Sequence, residues 1–177
     1  MTQLPLDLGD SVSTEEPSAV ISDDGRYRYE LRRRWAPGPL LEWVMLNPST
    51  ADAAEDDPTI RRCIKFARDW GFNGIRVTNL FAYRATNPDE LGKTNDPFGP
   101  ENSEYLRSAF GPITVCAWGS HKYVGRVNQN TDVFERENTA FLCLGYNQDG
   151  SPKHPLYVPA NRGLSPWPKL DPKERNY

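Results

Sequence analysis

The sequence predicts one α/β domain, a three-layer α/β/α arrangement with a mainly parallel central sheet and helices on both faces. Three observations predict it. Apolar, strand-like runs recur at residues 40–46, 74–81, 113–118 and 140–145. Segments with helical spacing or helix-capping signals fall between them, and this alternation favours parallel pairing through crossover helices. A length of 177 residues, 37% of them hydrophobic, suffices for one core with much irregular loop around it.

Taken in order, residues 1–20 are polar, acidic and without sustained periodicity, and are expected to be a flexible tail ahead of a domain at 21–177. Inside the tail, Gln3 precedes leucines at alternate positions, Leu4, Leu6 and Leu8. Alternation suits an extended peptide whose side chains drop into a partner's pockets. At 27–35, Tyr27, Tyr29 and Leu31 alternate with charged residues, the pattern of a half-exposed strand. A Pro-Gly turn follows, then the apolar run LEWVML.

From Asp57 the period changes. Ile60, Cys63, Ile64 and Ala67 share one helical face while Arg61, Arg62, Lys65 and Arg68 take the others. Asp57 suits the N-cap, Pro58 the first helical position and Gly71 the stop. GIRVTNLF then reads as a strand, residues 100–110 as a short helix, ITVCAW as a buried strand, 123–137 as a helix and AFLCLG as the last core strand. The proline-rich stretch from Gly150 reads as irregular.

Composition excludes several classes. No apolar run is long enough to cross a membrane, and the N-terminus lacks a secretory leader, which points to the cytoplasm. Cys63, Cys116 and Cys143 are dispersed in apolar stretches, as reduced core thiols are. Net charge is -3 with a pI near 5.5, against a non-specific DNA coat. A local basic groove would have to use Arg32, Arg33 and Arg34, or Arg61, Arg62, Lys65 and Arg68. His121 and His154 stand far apart with no H-E-x-x-H or cysteine cluster, so neither metal nor cofactor is expected. There is no phosphate loop, no G-x-G-x-x-G and no G-x-S-x-G around Ser49.

Ligands of open α/β sheets bind outside the carboxyl ends of the strands. Polar residues collect there: Asn47-Pro48-Ser49 after the second strand, Asn79 closing VTNL with Tyr83 beyond it, and His154-Pro155 after the last strand. The Trp118-Gly119-Ser120-His121 segment is a weaker fourth. Each has a plainer reading as cap, loop or core residue; their recurrence at successive strand ends makes them candidates together.

Two resemblances meet at these residues. The segments MLNPSTAD, DPTIRRC, WGF, VTNLFAYRAT, DPFGPEN, AWG and HPLYV resemble those of a bacterial and phage domain-of-unknown-function family, over residues 28–157. The motif order is also similar to that of the uracil-DNA glycosylase superfamily, with Asn47-Pro48, Asn79 and His154-Pro155 in the matching places. Met45 and Ser49 replace glycines of the first motif and the second half of the H-P-S-P loop is missing. Those departures point to a base other than uracil, or to binding without cleavage.

The resemblance implies a hydrolase that cleaves the N-glycosidic bond of a flipped-out, non-standard base in DNA, with no cofactor. A bulky modified pyrimidine in phage DNA and a role in antiviral defence would follow. Asn47 would orient a water, His154 would stabilise charge on the departing base, and Asn79 would read the base edge; a stronger base would have to come from Asp52, Asp56 or Asp57, the last already claimed by the helix cap. Tyr83 would stack on the base, with Pro48, Ser49 and Trp118 shaping the pocket. The alternative is a non-catalytic nucleotide- or modified-base-binding module. The Gln3–Leu8 peptide resembles those by which bacterial proteins dock on the replicative sliding clamp, which adds the clamp to DNA as an expected partner.

Overall fold

The computed structural model describes residues 18–49, 55–124, 134 and 138–167. The Gln3, Leu4, Leu6 and Leu8 peptide, and most of the helix expected at 123–137, lie outside the described residues. Among the described residues seven strands form one sheet: β1 (Ser18–Ile21), β2 (Arg28–Arg34), β3 (Leu40–Met45), β4 (Gly74–Asn79), β5 (Ile113–Cys116), β6 (Ala140–Cys143) and β7 (Ser165–Pro166). Helix α1 (Pro58–Asp69) joins β3 to β4, and α2 (Asn102–Ala109) precedes β5.

The spatial order is β1-β2-β4-β3-β5-β6-β7. β4, β3, β5 and β6 run parallel, whereas β1, β2 and β7 pair antiparallel at the two sides. The sheet is therefore mixed rather than mainly parallel. From β3 the chain moves to one side through α1, and β5 returns on the other side of β3. This reversal opens a crevice over the carboxyl ends of β3 and β5.

Alternation along β3 divides the core. Leu41, Trp43 and Met45 pack with Ile60, Cys63, Phe66 and Ala67 of α1, while Val44 and Leu46 join a cluster containing Leu106 of α2. The α1 signals act as expected: Asp57 Oδ1 accepts from the Ile60 N–H at 2.8 Å, Pro58 opens the helix, and Gly71 leaves it at φ +81°. The three cysteines are buried and unbridged. Burial raises the Cys63 and Cys116 thiols away from the reactive thiolate.

Two boundaries are corrected. β1 begins at Ser18, within the segment expected as tail, and β7 lies in the stretch expected to be irregular. A third correction concerns β2, whose charged residues were expected to face water. Arg28, Glu30 and Arg33 are buried because β2 lies between β1 and β4. Partners make that tolerable: Arg76 Nε donates to Glu30 at 2.6 Å, and Arg33 Nε donates to Asp56 at 2.7 Å.

Trp43 is fully buried against Phe66 and Trp70, and its indole N–H has no partner among the described residues. Its contribution is therefore packing. Trp43→Ala should cost about 3–5 kcal/mol of unfolding free energy, and Trp43→Phe distinctly less, since no hydrogen bond is lost. Urea denaturation of the two variants checks this; equal losses would contradict it.

Candidate functional site

The crevice at the strand ends is a cleft of about 600 Å³. Asn47, Ser49, Asn79, Trp118 and His154 all line it. The structure thus brings together residues from the ends of β3, β4 and β5 and from the loop after β6. Pro48 is buried and does not line the cleft, and Tyr83 is elsewhere. Tyr83 lines a separate cleft with Asp24 and Asp96 and sits edge-on to Tyr27, with ring centres 6.1 Å apart.

The Asn47 loop is braced from two sides. β3 and β4 pair in parallel up to Met45 opposite Asn79, and the Leu80 and Phe81 N–H groups carry the ladder on to Met45 and Leu46. Beyond that, Asn47 Nδ2 donates to the Ala85 carbonyl at 2.8 Å and to the Pro48 carbonyl at 3.1 Å, while the Ala85 N–H donates to Pro48 at 2.9 Å. Both amide hydrogens are thus committed, and Oδ1 is the atom left for a ligand. Ser49 Oγ donates to Asp57 Oδ2 at 3.0 Å, which ties the same loop to the first turn of α1.

Asn79 is buried at the end of β4. Its carbonyl accepts from Asn102 Nδ2 at 3.0 Å, and its side-chain amide has no hydrogen-bond partner among the described residues. Both donor and acceptor therefore remain for whatever fills the cleft.

His154 caps a 3-10 turn (Pro155–Tyr157), its Nδ1 accepting from the Leu156 N–H at 3.3 Å. An accepting Nδ1 carries no proton, so neutral His154 holds its hydrogen on Nε2. Burial lowers its pKa, and the nearby Asp57 charge only partly offsets this. Two contacts fix the turn. Arg62 donates to the Pro155 and Val158 carbonyls, at 3.3 and 2.6 Å. Gly119, at φ +76°, lets the β5 loop approach so closely that a Cβ there would stand 3.3 Å from His154 Cβ. Leu156 and Tyr157 project beyond the turn, and Tyr157 is 81% exposed.

Several cleft residues escaped the sequence reading. Arg28 is only 3% exposed yet lines the cleft. Nothing in a strand of alternating charges distinguished it. Burial lowers its pKa to about 10, opposed by Asp57 and reinforced by Arg84 and Arg33. Asp57, which the sequence offers both as a helix cap and, with Asp52 and Asp56, as a base close to the Asn47 motif, lines the cleft as well. Asn147 lies in the wall too, donating to Ser151, as does Ser120 of the fourth candidate segment, which donates to Asp149.

The basic residues proposed for a groove are engaged within the protein. Arg32 and Arg33 pair with Glu30 and Asp56, and Arg34 donates to the Gly38 carbonyl. Arg61 bonds the Asp56 carbonyl, Lys65 pairs with Asp69, and Arg68 lies over the Trp35 ring. Among the described residues no helix is long and apolar enough to cross a membrane.

Fold and site together define an α/β protein with a cleft, lined by several polar side chains, at the carboxyl ends of its parallel strands. The chain belongs to the DUF1643 family, described as a protein of unknown function, whose model matches residues 28–156. Comparison with curated proteins and with solved structures returned no match.

The His154 geometry has a sign that can be checked. A folded-state pKa below the ordinary 6.5 means the unfolded chain binds more protons over that interval, so stability rises with pH there. Acidification from about pH 6.5 downward should therefore destabilise the protein, and His154→Gln should flatten that slope. Imidazole NMR should show an Nε2–H tautomer titrating below the free-histidine value; an Nδ1–H tautomer would contradict the capping bond.

Proposed function

We propose that this protein is a DNA glycosylase-like hydrolase that releases a non-standard or modified base, its helices and sheet forming the three-layer arrangement of the uracil-DNA glycosylases. One observation carries the reading: Asn47 after β3, Asn79 at the end of β4 and His154 in the loop after β6 line a single cleft. A volume of about 600 Å³ suits a ligand larger than an unsubstituted base.

The atoms left available assign the roles. Asn47 Oδ1 accepts from a water, its own N–H groups being held by Ala85 and Pro48. Asp57, on the same cleft, takes the proton as the water oxygen bonds to C1′. The C1′–N bond breaks, its electron pair leaves with the base, and the His154 Nε2–H donates to the oxygen on which that charge develops. Asn79 reads the edge of the extruded base. The Leu4-Leu6-Leu8 peptide would deliver the enzyme to the sliding clamp, and release of modified phage bases would serve defence.

A second reading has its own support. Both Asp57 oxygens already accept hydrogen bonds, from Ser49 and from Ile60, a structural duty that suits a cleft which binds a modified base or nucleotide without cutting it.

The test incubates the purified protein with normal, deaminated and phage-modified DNA and measures free base and abasic sites. Release is expected from one modified class, falling at least ~100-fold in Asn47→Ala, His154→Ala and Asp57→Asn. Asparagine still caps a helix, so Asp57→Asn removes the charge and spares the fold. Ligand binding without release supports the second reading, and unaltered release in all three variants removes the mechanism. Deleting residues 1–10 should weaken binding to purified clamp by at least ~10-fold; unchanged affinity would remove that partner.

A further inference from the structure

Asn47 Oδ1, the Asn79 amide and the His154 Nε2–H are groups that meet a flat ligand in the plane of its ring. Hydrogen bonds of that kind fix the rim of a ring and leave its faces to stacking. Tyr83, expected to stack, belongs to another cleft. Among the described residues four ring-bearing side chains line this one: Trp118, His121, His154 and Tyr157. Trp118 is buried and packs against Phe134 and Trp167. His121 packs on Tyr123, with ring centres 5.2 Å apart, and His154 is committed through Nδ1 to the Leu156 N–H. Tyr157 alone stands in solvent, 81% exposed, with the His154 ring 5.4 Å away and inclined at 45°.

The backbone beneath that ring is pinned. The Tyr157 N–H donates to the His154 carbonyl at 3.0 Å, and Arg62 holds the carbonyls of Pro155 and Val158 on either side. Leu156, next to it, is exposed and lines the cleft too. Among the described residues three large hydrophobic side chains are exposed, so two of the three stand together on one fixed turn of the cleft wall. Folding gains little from a ring left in water. A ligand gains from it a flat surface with few rotatable bonds to immobilise.

We propose that Tyr157 is the stacking platform of the cleft, receiving one face of the planar heterocycle whose edge meets Asn79 and His154. Ring centres 5.4 Å apart allow one such ligand to touch both Tyr157 and His154. This rests on the base-binding reading of the cleft and adds a selection to it: an unsaturated ring is taken and its saturated counterpart is not. Saturating the 5,6 bond of a pyrimidine keeps the donors and acceptors of its edge and removes the flat π face.

Calorimetry and proton NMR on the full chain test this. The probes are deoxyuridine, thymidine, deoxycytidine, 5-hydroxymethyldeoxycytidine, deoxyadenosine and deoxyguanosine, with the 5,6-dihydro forms of the pyrimidines. Each is offered free and as the only base of a trinucleotide whose flanking residues are abasic. At least one base should bind the wild type, its ring protons moving upfield as they enter the shielding cone of the tyrosine. Tyr157→Ala should weaken that binding at least ~10-fold and abolish the shift, while Tyr157→Phe keeps both to within ~2-fold. The side chain is solvent-exposed, so both variants should fold as the wild type does. A bound pyrimidine should lose at least ~10-fold on 5,6-reduction against the wild type, and nothing against Tyr157→Ala.

Equal affinity in the wild type and Tyr157→Ala overturns the proposal, as does an upfield shift that survives in that variant. Loss of binding in Tyr157→Phe overturns it too, since the hydroxyl and not the ring face would then be at work. So does a wild type that binds none of the probes. Base release from DNA, measured in parallel, keeps the two readings apart. Release undiminished in Tyr157→Ala sinks this inference and leaves the glycosylase. Tyr157-dependent binding with no release from any DNA does the opposite.

Discussion

The Asp57 carboxylate joins the fold to the cleft. Its Oδ1 closes the first turn of α1 on the Ile60 N–H, and its Oδ2 receives the Ser49 hydroxyl. Helix and loop are thereby fixed to one residue, and the loop is the one that presents Asn47. A cap of this kind contributes about 1 kcal/mol to a helix, modest beside the burial of Trp43 and Phe66, yet it sets position where burial sets only proximity. The same carboxylate lies among Arg28 and His154, so local electrostatics and backbone geometry depend on one side chain.

Much of the fold was legible because backbone chemistry is local. The helix from Asp57 announces itself through cap, proline and period, and the parallel strands through apolar runs. What was not legible depends on neighbours in space. β2 reads as half-exposed because alternation of Tyr27, Tyr29 and Leu31 with charges normally means one wet face. Here β1, taken from a segment that looks like tail, covers its edge, and Arg76 and Asp56 arrive from β4 and the α1 approach to pair the charges. An ion pair between residues distant in sequence leaves no periodic trace.

The candidate site divides the same way. Asn47, Asn79 and His154 share a cleft because each ends a strand or follows one, and strand order is a topological consequence that a βα alternation already implies. Tyr83 follows β4 just as closely but turns away, since its N–H bonds the Pro97 carbonyl and its ring packs on Tyr27. Arg28 could not be found at all: a one-residue bulge in the β1–β2 pairing decides which face it serves, and a bulge is set by the register of two strands rather than by either alone.

The bonds that rigidify the cleft also settle which atoms can act. Asn47 has spent both amide hydrogens on Ala85 and Pro48, so it meets a ligand as an acceptor. His154 has spent Nδ1 on Leu156, so in its neutral form it meets a ligand as a donor. Asp57 has two of its roughly four lone-pair sites occupied and still has room for a water. The cleft therefore offers acceptors from the Asn47 and Asp57 loops and a donor from His154, with Asn79 able to serve as either. That is the polarity needed to pull a proton from one partner while supplying a hydrogen bond to another. It arises because Asn47 and His154 each complete the local backbone with one side-chain atom and keep the second clear of it.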